Sequence, residues 1–338
     1  MSSKKFNLVL FGGNRKNEDG PLLNIIPHVL KKFHVTVFSD PFRLNLPTKN
    51  GKSLKNRLED MDVELHACDH LDYELLKKYV NSTSIGLSIG SIWFFKQNVI
   101  DLFNDNLFNY HNTLLPTERG ASAYTWKILS QNRLGGLTIH KIEETLDVGN
   151  IITQIKFNFP RFCYTQKDYY DFISKRETRF IINFLNSLVS GRKYKQIKQI
   201  EKFSTYWPKL DTQLHGYLDW NWSVKEIVLF IRAFDDPHPG AMTFIGGKKV
   251  HLKKCVTHKE KIHFHPFQTG LVFRICERRL HVATKDGCLL INNILDDDGN
   301  DITSTIKLGH RFHTPISFLD NAKTTRSSYG DEVKKVRT

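Results

Sequence analysis

Short apolar runs recur through the N-terminal part of the chain, at Phe6–Phe11, Val35–Phe38, Val63–Ala67 and Ser84–Ser88, with helix-like stretches such as Tyr73–Val80 between them. Apolar runs of strand length bounded by turn residues read as buried strands, and their alternation with helical periodicity predicts parallel βαβ units. Further helices are expected at Phe94–Phe103, Tyr124–Leu129 and Gln166–Leu188, the last carrying Tyr169, Phe172, Ile173, Phe180 and Phe184 at core-facing spacing. After Ser190-Gly191-Arg192 the basic, irregular stretch Lys193–Lys202 reads as a linker or exposed hairpin. Ser223 stands where it would cap a helix running to about Phe234, and from Met242 onward the period is near two, which predicts strands. Asn321–Thr338 has almost no apolar content and is expected to be disordered or loosely docked.

The chain has 338 residues, 40% hydrophobic and 25% charged, which is enough for two domains with real cores. No apolar run approaches the length that spans a bilayer, and Met1–Lys5 leads straight into the first strand without a signal-peptide pattern, so a cytoplasmic location is expected. The five cysteines, Cys68, Cys163, Cys255, Cys276 and Cys288, are widely spread and include no C-x-x-C pair, which indicates neither a disulfide framework nor a zinc site. The turn Gly12-Gly13-Asn14 is not the six-position glycine fingerprint of dinucleotide-binding folds. A formal charge of +14 points to an anionic partner, whether nucleic acid, acidic membrane or phosphorylated small molecule, without choosing among them.

Candidate chemistry gathers in Leu107–Pro116. In a strand, side chains two apart share a face, so Asn109 and His111 would enter one cleft while Phe108 and Tyr110 pack behind them. A second strand is expected at Gly136–Ile142, and the loop after it, Glu143–Asn150, holds Asp147, whose carboxylate could orient the imidazole. Singly, each of these is as common in a structural role. Together, Asn-x-His-x-x-Leu-Leu-Pro from Asn109, then Arg119-Gly120, Gly-x-Thr-x-His from Gly136 and Asp-x-Gly-x-Ile from Asp147 resemble the signature of the folate-dependent formyltransferases. Ile231–Ala241 is similar to the segment that opens the smaller C-terminal domain of that family, and Lys249–Leu252, Gly270–Val272 and Leu280–Leu290 to its strands.

The resemblance implies an α/β fold: a Rossmann-like catalytic domain with a mostly parallel sheet over 1–190, a linker or hairpin over 191–222, an OB-like β-barrel domain over 223–320 and a polar tail over 321–338. It implies N10-formyltetrahydrofolate as formyl donor and Asn109, His111 and Asp147 as the catalytic group, with no metal. Ser88, Ile89, Gly90, Ser91, Ile92 and Trp93, with Ile142, Glu143, Thr145, Leu146 and Asp147, would form the pterin slot.

Ser122, Tyr124-x-Trp126, Ser204–Lys209 and Asp219-Trp220 resemble the branch that formylates nucleotide-linked amino sugars, a dTDP-sugar for surface polysaccharide synthesis being favoured. In that reading Tyr206 or Trp207 packs against the base, and Arg119 and Arg232 neutralise the pyrophosphate. The alternative packing role, filling the domain junction, stays open for Trp207, Trp220 and Trp222. The basic residues Arg43, Lys49, Lys52, Lys55 and Arg57 keep methionyl-tRNA as an alternative acceptor. A third class is a non-catalytic OB-type module binding nucleic acid through His251, Phe264, Phe267 and Phe273 with Lys253, Lys254 and Arg274. Relatives of this kind are often dimers, so a homodimer formed near residues 150–200, and no membrane partner, is the expectation.

Overall fold

The computed structural model describes residues 6–258 and 262–327. The apolar runs form the expected strands: β1 (Phe6–Gly12), α1 (Pro21–Val29), β2 (Phe33–Ser39), α2 (Pro41–Leu44), α3 (Leu54–Glu59), β3 (Glu64–Ala67), α4 (Tyr73–Leu76), β4 (Ile85–Ile89), α5 (Gln97–Asp101) and β5 (Leu107–His111). The two-residue β6 (Arg119–Gly120), α6 (Ala123–Leu129), β7 (Leu134–Lys141), β8 (Ile151–Asn158) and α7 (Gln166–Val189) follow. Helix α1 is the element the periodicity conceals, because Pro27 sits inside its nine residues and reads as a breaker.

Seven strands form one sheet in the order β3-β2-β1-β4-β5-β7-β8. β1 to β5 run parallel, while β7 is antiparallel to β5 and β8 to β7. The chain winds outward from β1 to β3 and then returns to the other side of β1 as β4. That reversal opens a crevice beyond the carboxyl ends of β1 and β4, the place where open α/β sheets bind ligands.

The segment expected as a linker is tied down. Ile197 exchanges two backbone hydrogen bonds of 2.9 Å with Ile151, and β9 (Tyr206–Trp207) pairs in parallel with β6. After α8 (Thr212–His215), Ser223 caps α9 (Val224–Ala233) in a reciprocal capping box with Glu226. Then come β10 (Ala241–Ile245), β11 (Lys248–Lys253), β12 (Val256–Thr257), β13 (Val272–Cys276), β14 (Arg279–Thr284), β15 (Gly287–Ile291), β16 (Asn293–Leu295), β17 (Phe312–His313) and α10 (Ile316–Thr324).

These C-terminal strands build two four-stranded sheets, β16-β11-β10-β17 and β12-β15-β14-β13. Among the described residues they do not close into the barrel expected from the resemblance. The edge strands β12 and β17 are two residues long, and the sheets meet at the isolated antiparallel bridge Leu271–Arg311, where the Val272 N–H donates to the His310 carbonyl and the Phe312 N–H to the Gly270 carbonyl, both at 2.8 Å. His251 and Lys253 are buried, and His251 Nε2 pairs with Asp297 at 2.9 Å, so the proposed row of aromatic and basic residues does not form one open face.

Both parts share a core. Tyr124, Tyr169 and Ile173 of α6 and α7 cluster with Leu218, Trp220, Ile227, Val250 and Phe312. Trp220 stacks on Phe312 and donates its indole N–H to Thr243 Oγ1 at 2.9 Å, so here packing is the role observed. The polar tail begins later than its composition predicts: α10 runs through Thr324, held by Phe318 against Tyr217 and Phe244 and by buried Leu319. Residues 328–338 lie outside the described residues. Among the described residues no helix is long and apolar enough to cross a membrane.

Candidate active site

The register of β5 decides what meets in the crevice. Asn109 lies opposite Ser88 of β4 on one side and His140 of β7 on the other, and His111 lies opposite Thr138. Asn109 Nδ2 is 3.0 Å from His140 Nε2, while His140 Nδ1 is 2.7 Å from the Lys141 carbonyl. A carbonyl can only accept, so Nδ1 carries the proton of the neutral ring and Nε2 accepts from Asn109. One N–H of the Asn109 amide is thereby committed and its orientation set; the second N–H is left for a ligand.

The same logic assigns His111. Its Nε2 lies 2.7 Å from the Glu118 carbonyl, which Thr113 Oγ1 also approaches at 2.8 Å, so Nε2 is the donor. Nδ1, 3.7 Å from Asp147 Oδ1, is therefore the nitrogen that can take a proton.

Asp147 is buried, with the left-handed φ of 58° that Asp tolerates better than most residues. Its Oδ2 accepts the Gly120 N–H at 2.9 Å, and its Oδ1 lies 3.5 Å from His140 Nε2. Burial by itself pushes this carboxyl up. The charges of His111 and His140 in their protonated forms, the Nε2–H that His140 then carries, and the Gly120 N–H outweigh it and hold Asp147 well below the usual carboxylate range.

A buttress beneath the loop fixes this geometry. Gln199 Nε2 donates to the carbonyls of Asp147 and Gly149, both at 2.8 Å. Gln199 Oε1 in turn accepts from Arg119 Nε at 3.1 Å and Nη2 at 3.0 Å, and Arg119 Nη1 pairs with Glu201. Gly149 is forced by close approach: a Cβ there would lie 2.0 Å from the Lys141 carbonyl oxygen.

A cavity of about 520 Å³ opens over Asn109, His111, His140 and Asp147. Ser88, Ile89, Gly90, Ser91, Ile92, Trp93, Ile142, Glu143, Thr145 and Leu146 line it. Arg43 stiffens this wall, linking the Asp40 carboxylate to the Gly90 carbonyl. Arg15, Gln166, Tyr170, Lys209 and His238 bring polar side chains to the same cavity.

The four residues expected at the acceptor lie elsewhere. Arg119 is buried and turned toward Gln199 and Glu201. Tyr206 and Trp207 are exposed beside β6, Trp207 packing against Trp126 at 5.2 Å, and Arg232 stacks over the Tyr164 ring at 4.5 Å. None of the four lines the cavity. Conversely, the sequence reading assigned no site role to His140, Gln199 or Lys209. His140 ends the Gly-x-Thr-x-His pattern and Lys209 ends the Ser204–Lys209 stretch, so both had a local signal; Gln199 had none.

Two family models match the chain: residues 91–185 match that described as formyl transferase, and residues 212–306 its C-terminal domain. A methionyl-tRNA formyltransferase from Borrelia hermsii is 31% identical over 222 residues, 64% of this chain and 68% of that protein. The chain belongs to the formyl transferase family. The bifunctional polymyxin resistance protein ArnA of Wigglesworthia glossinidia brevipalpis is 29% identical over 48% of this formyl transferase, which spans only 24% of that relative's length. Among solved structures, WlaRD, a sugar 3N-formyl transferase crystallised with dTDP and 5-N-formyl-THF, has a TM-score of 0.62 at 22% identity, covering 86% of this chain and 98% of its own. The N-formyltransferase of Helicobacter canadensis, in complex with folinic acid and dTDP-3-aminofucose, has a TM-score of 0.61 at 20% identity, covering 85% and 98%. At these identities the likeness is one of fold.

Proposed function

We propose that this formyl transferase moves a formyl group from N10-formyltetrahydrofolate to the amino group of a nucleotide-linked amino-deoxy sugar, a dTDP-sugar by preference. The observation that carries the reading is a single cavity holding an amide donor, a proton-accepting imidazole and a buried carboxylate, with a backbone-lined wall and cationic side chains around them. The solved sugar N-formyltransferases, matched over nearly their whole chains, support the sugar branch.

The wall fits a flat heterocycle that recognises backbone groups. Gly90 turns with φ of 66°, and a Cβ there would meet open space, so no side chain of that residue narrows the slot between 88–93 and 142–147. When bound there, the folate supplies the activated formyl group. The second N–H of Asn109 donates to the oxyanion that develops as the amine attacks, a contribution of roughly 3 kcal/mol in other acyl transfers. His111 Nδ1 takes the proton the amine must lose and returns it to the departing folate nitrogen as that nitrogen's bond to the formyl carbon breaks; Asp147 stabilises the imidazolium in between.

The test is formyl transfer from N10-formyltetrahydrofolate to a panel of dTDP-, UDP- and GDP-linked amino sugars and to methionyl-tRNA, with His111→Ala as the blank. Turnover of an amino-sugar nucleotide that the substitution abolishes is the expected result. Turnover of the charged tRNA alone overturns the acceptor assignment and moves the enzyme to the branch of its Borrelia relative.

A further inference from the structure

Lys127, on α6, is 2% exposed and does not line the cavity. Its ammonium donates to the Glu118 carboxylate and, at 2.6 Å, to the Leu134 carbonyl at the start of β7. Burial pulls the ammonium down from its ordinary value, and the Glu118 carboxylate opposes that pull. A buried ion pair is seldom the most stable filling of its volume; what it adds is direction, because each partner dictates the orientation of the other.

Glu118 passes that orientation to the strand carrying Asn109 and His111. Besides Lys127 Nζ, its Oε1 accepts from Asn132 Nδ2 at 3.2 Å, and its Oε2 accepts the Leu114 N–H at 3.3 Å, so the side chain folds back across the turn 114–118 and clamps it. The backbone carbonyl of the same residue then faces His111 Nε2 at 2.7 Å and Thr113 Oγ1 at 2.8 Å, which occupy both of its lone pairs. This carbonyl competes with Asp147 for the single proton of the neutral His111 ring. Asp147 Oδ1 lies 3.7 Å from Nδ1, and a carboxylate is the stronger acceptor of the two. With the Glu118 carbonyl in place the proton sits on Nε2 and Nδ1 stays bare, able to act as a base. With that carbonyl displaced, the proton moves to Nδ1 and the base is lost.

We infer that the buried Lys127–Glu118 pair positions His111, selecting the tautomer in which its Nδ1 can accept a proton. The inference rests on the reading of His111 as the base for formyl transfer. Neither the Lys127 nor the Glu118 side chain lines the cavity; both act through one carbonyl.

Long-range proton–nitrogen correlation spectra of the full chain, which tell a protonated ring nitrogen from a bare one, test it, with the His111 signals assigned by their loss in His111→Ala. At about pH 9, where imidazoles are neutral, the wild type should carry the proton on Nε2. Lys127→Met, and independently Glu118→Gln, which keeps an acceptor for the Leu114 N–H, should each show it on Nδ1. In the same variants kcat for formyl transfer should fall at least about tenfold, with the KM for N10-formyltetrahydrofolate within about twofold. An unchanged tautomer in either folded variant overturns the inference however far kcat falls, since a merely structural loss lowers activity without moving the ring proton. A wild type already protonated at Nδ1 overturns it as well. So does failure of both variants to fold, which would make the pair a stability element. Formyl transfer that survives His111→Ala removes the underlying reading instead, and the spectra distinguish that outcome because they need no turnover.

Discussion

Gln199 donates its side-chain amide to the backbone carbonyl of Asp147 at 2.8 Å, so a segment that reads as linker holds the Asp147 loop. The same amide bonds Gly149, and its carbonyl receives the Arg119 guanidinium. Gln199→Leu takes its partner from the Asp147 and Gly149 carbonyls and from Arg119 Nε and Nη2, while Arg119 Nη1 keeps Glu201, a cost of about 1–3 kcal/mol per orphaned group. We expect kcat to fall at least tenfold and the thermal midpoint to drop by several degrees. Retention of both would show that Asp147 is held by Gly120 alone.

Asp147→Asn keeps the shape and removes the charge. The Gly120 N–H still has an oxygen to donate to, but the imidazolium formed at His111 loses its counter-ion. kcat/KM should fall by about a hundredfold to ten-thousandfold with little loss of stability. The wild-type profile should carry no inflection from Asp147 in the mildly acidic range, because that carboxyl is held well below its ordinary value.

His140 acts through Asn109. Its Nε2 is the acceptor that fixes the amide, so His140→Phe should free Asn109 to rotate. The expected signature in steady-state kinetics is a kcat loss of roughly tenfold to a hundredfold with folate KM within about twofold. A matching rise in folate KM would instead place His140 in the folate slot.

Glu177 is buried beside the site and accepts the Tyr110 hydroxyl at 2.8 Å, behind the strand that carries Asn109 and His111. Burial pushes its carboxyl up, Arg15 and the Tyr110 hydrogen bond pull it down, and Glu18 adds to the upward push; the net direction is up. A carboxyl raised in the fold binds its proton more tightly there than in the unfolded chain. The contribution of Glu177 to stability is therefore fully present below the ordinary value of 4.5 and is lost as pH rises through the folded value. Glu177→Gln removes this titration, so urea midpoints measured as pH rises from 4.5 should be flatter for the variant than for wild type. Parallel curves would show that Glu177 does not carry the dependence.

Sequence alone determined what depends on neighbours along the chain. The two-residue period of β5 puts Asn109 and His111 on one face because pleating leaves no other choice, and the apolar runs alternating with helices dictate a largely parallel sheet. Ser223 capped its helix because a hydroxyl three residues before a glutamate satisfies the orphan N–H groups locally. Tertiary structure decided what depends on register and on returns of the chain. The antiparallel pairing of β5 with β7 brought His140 onto Asn109. The docking of 197–210 against Ile151 and β6 made Gln199 a buttress, put Lys209 rather than Trp207 at the cavity, and paired Arg119 with Gln199 and Glu201. A one-residue change of register would reverse each of these orientations, and register is set by contacts between distant segments that no window of sequence contains.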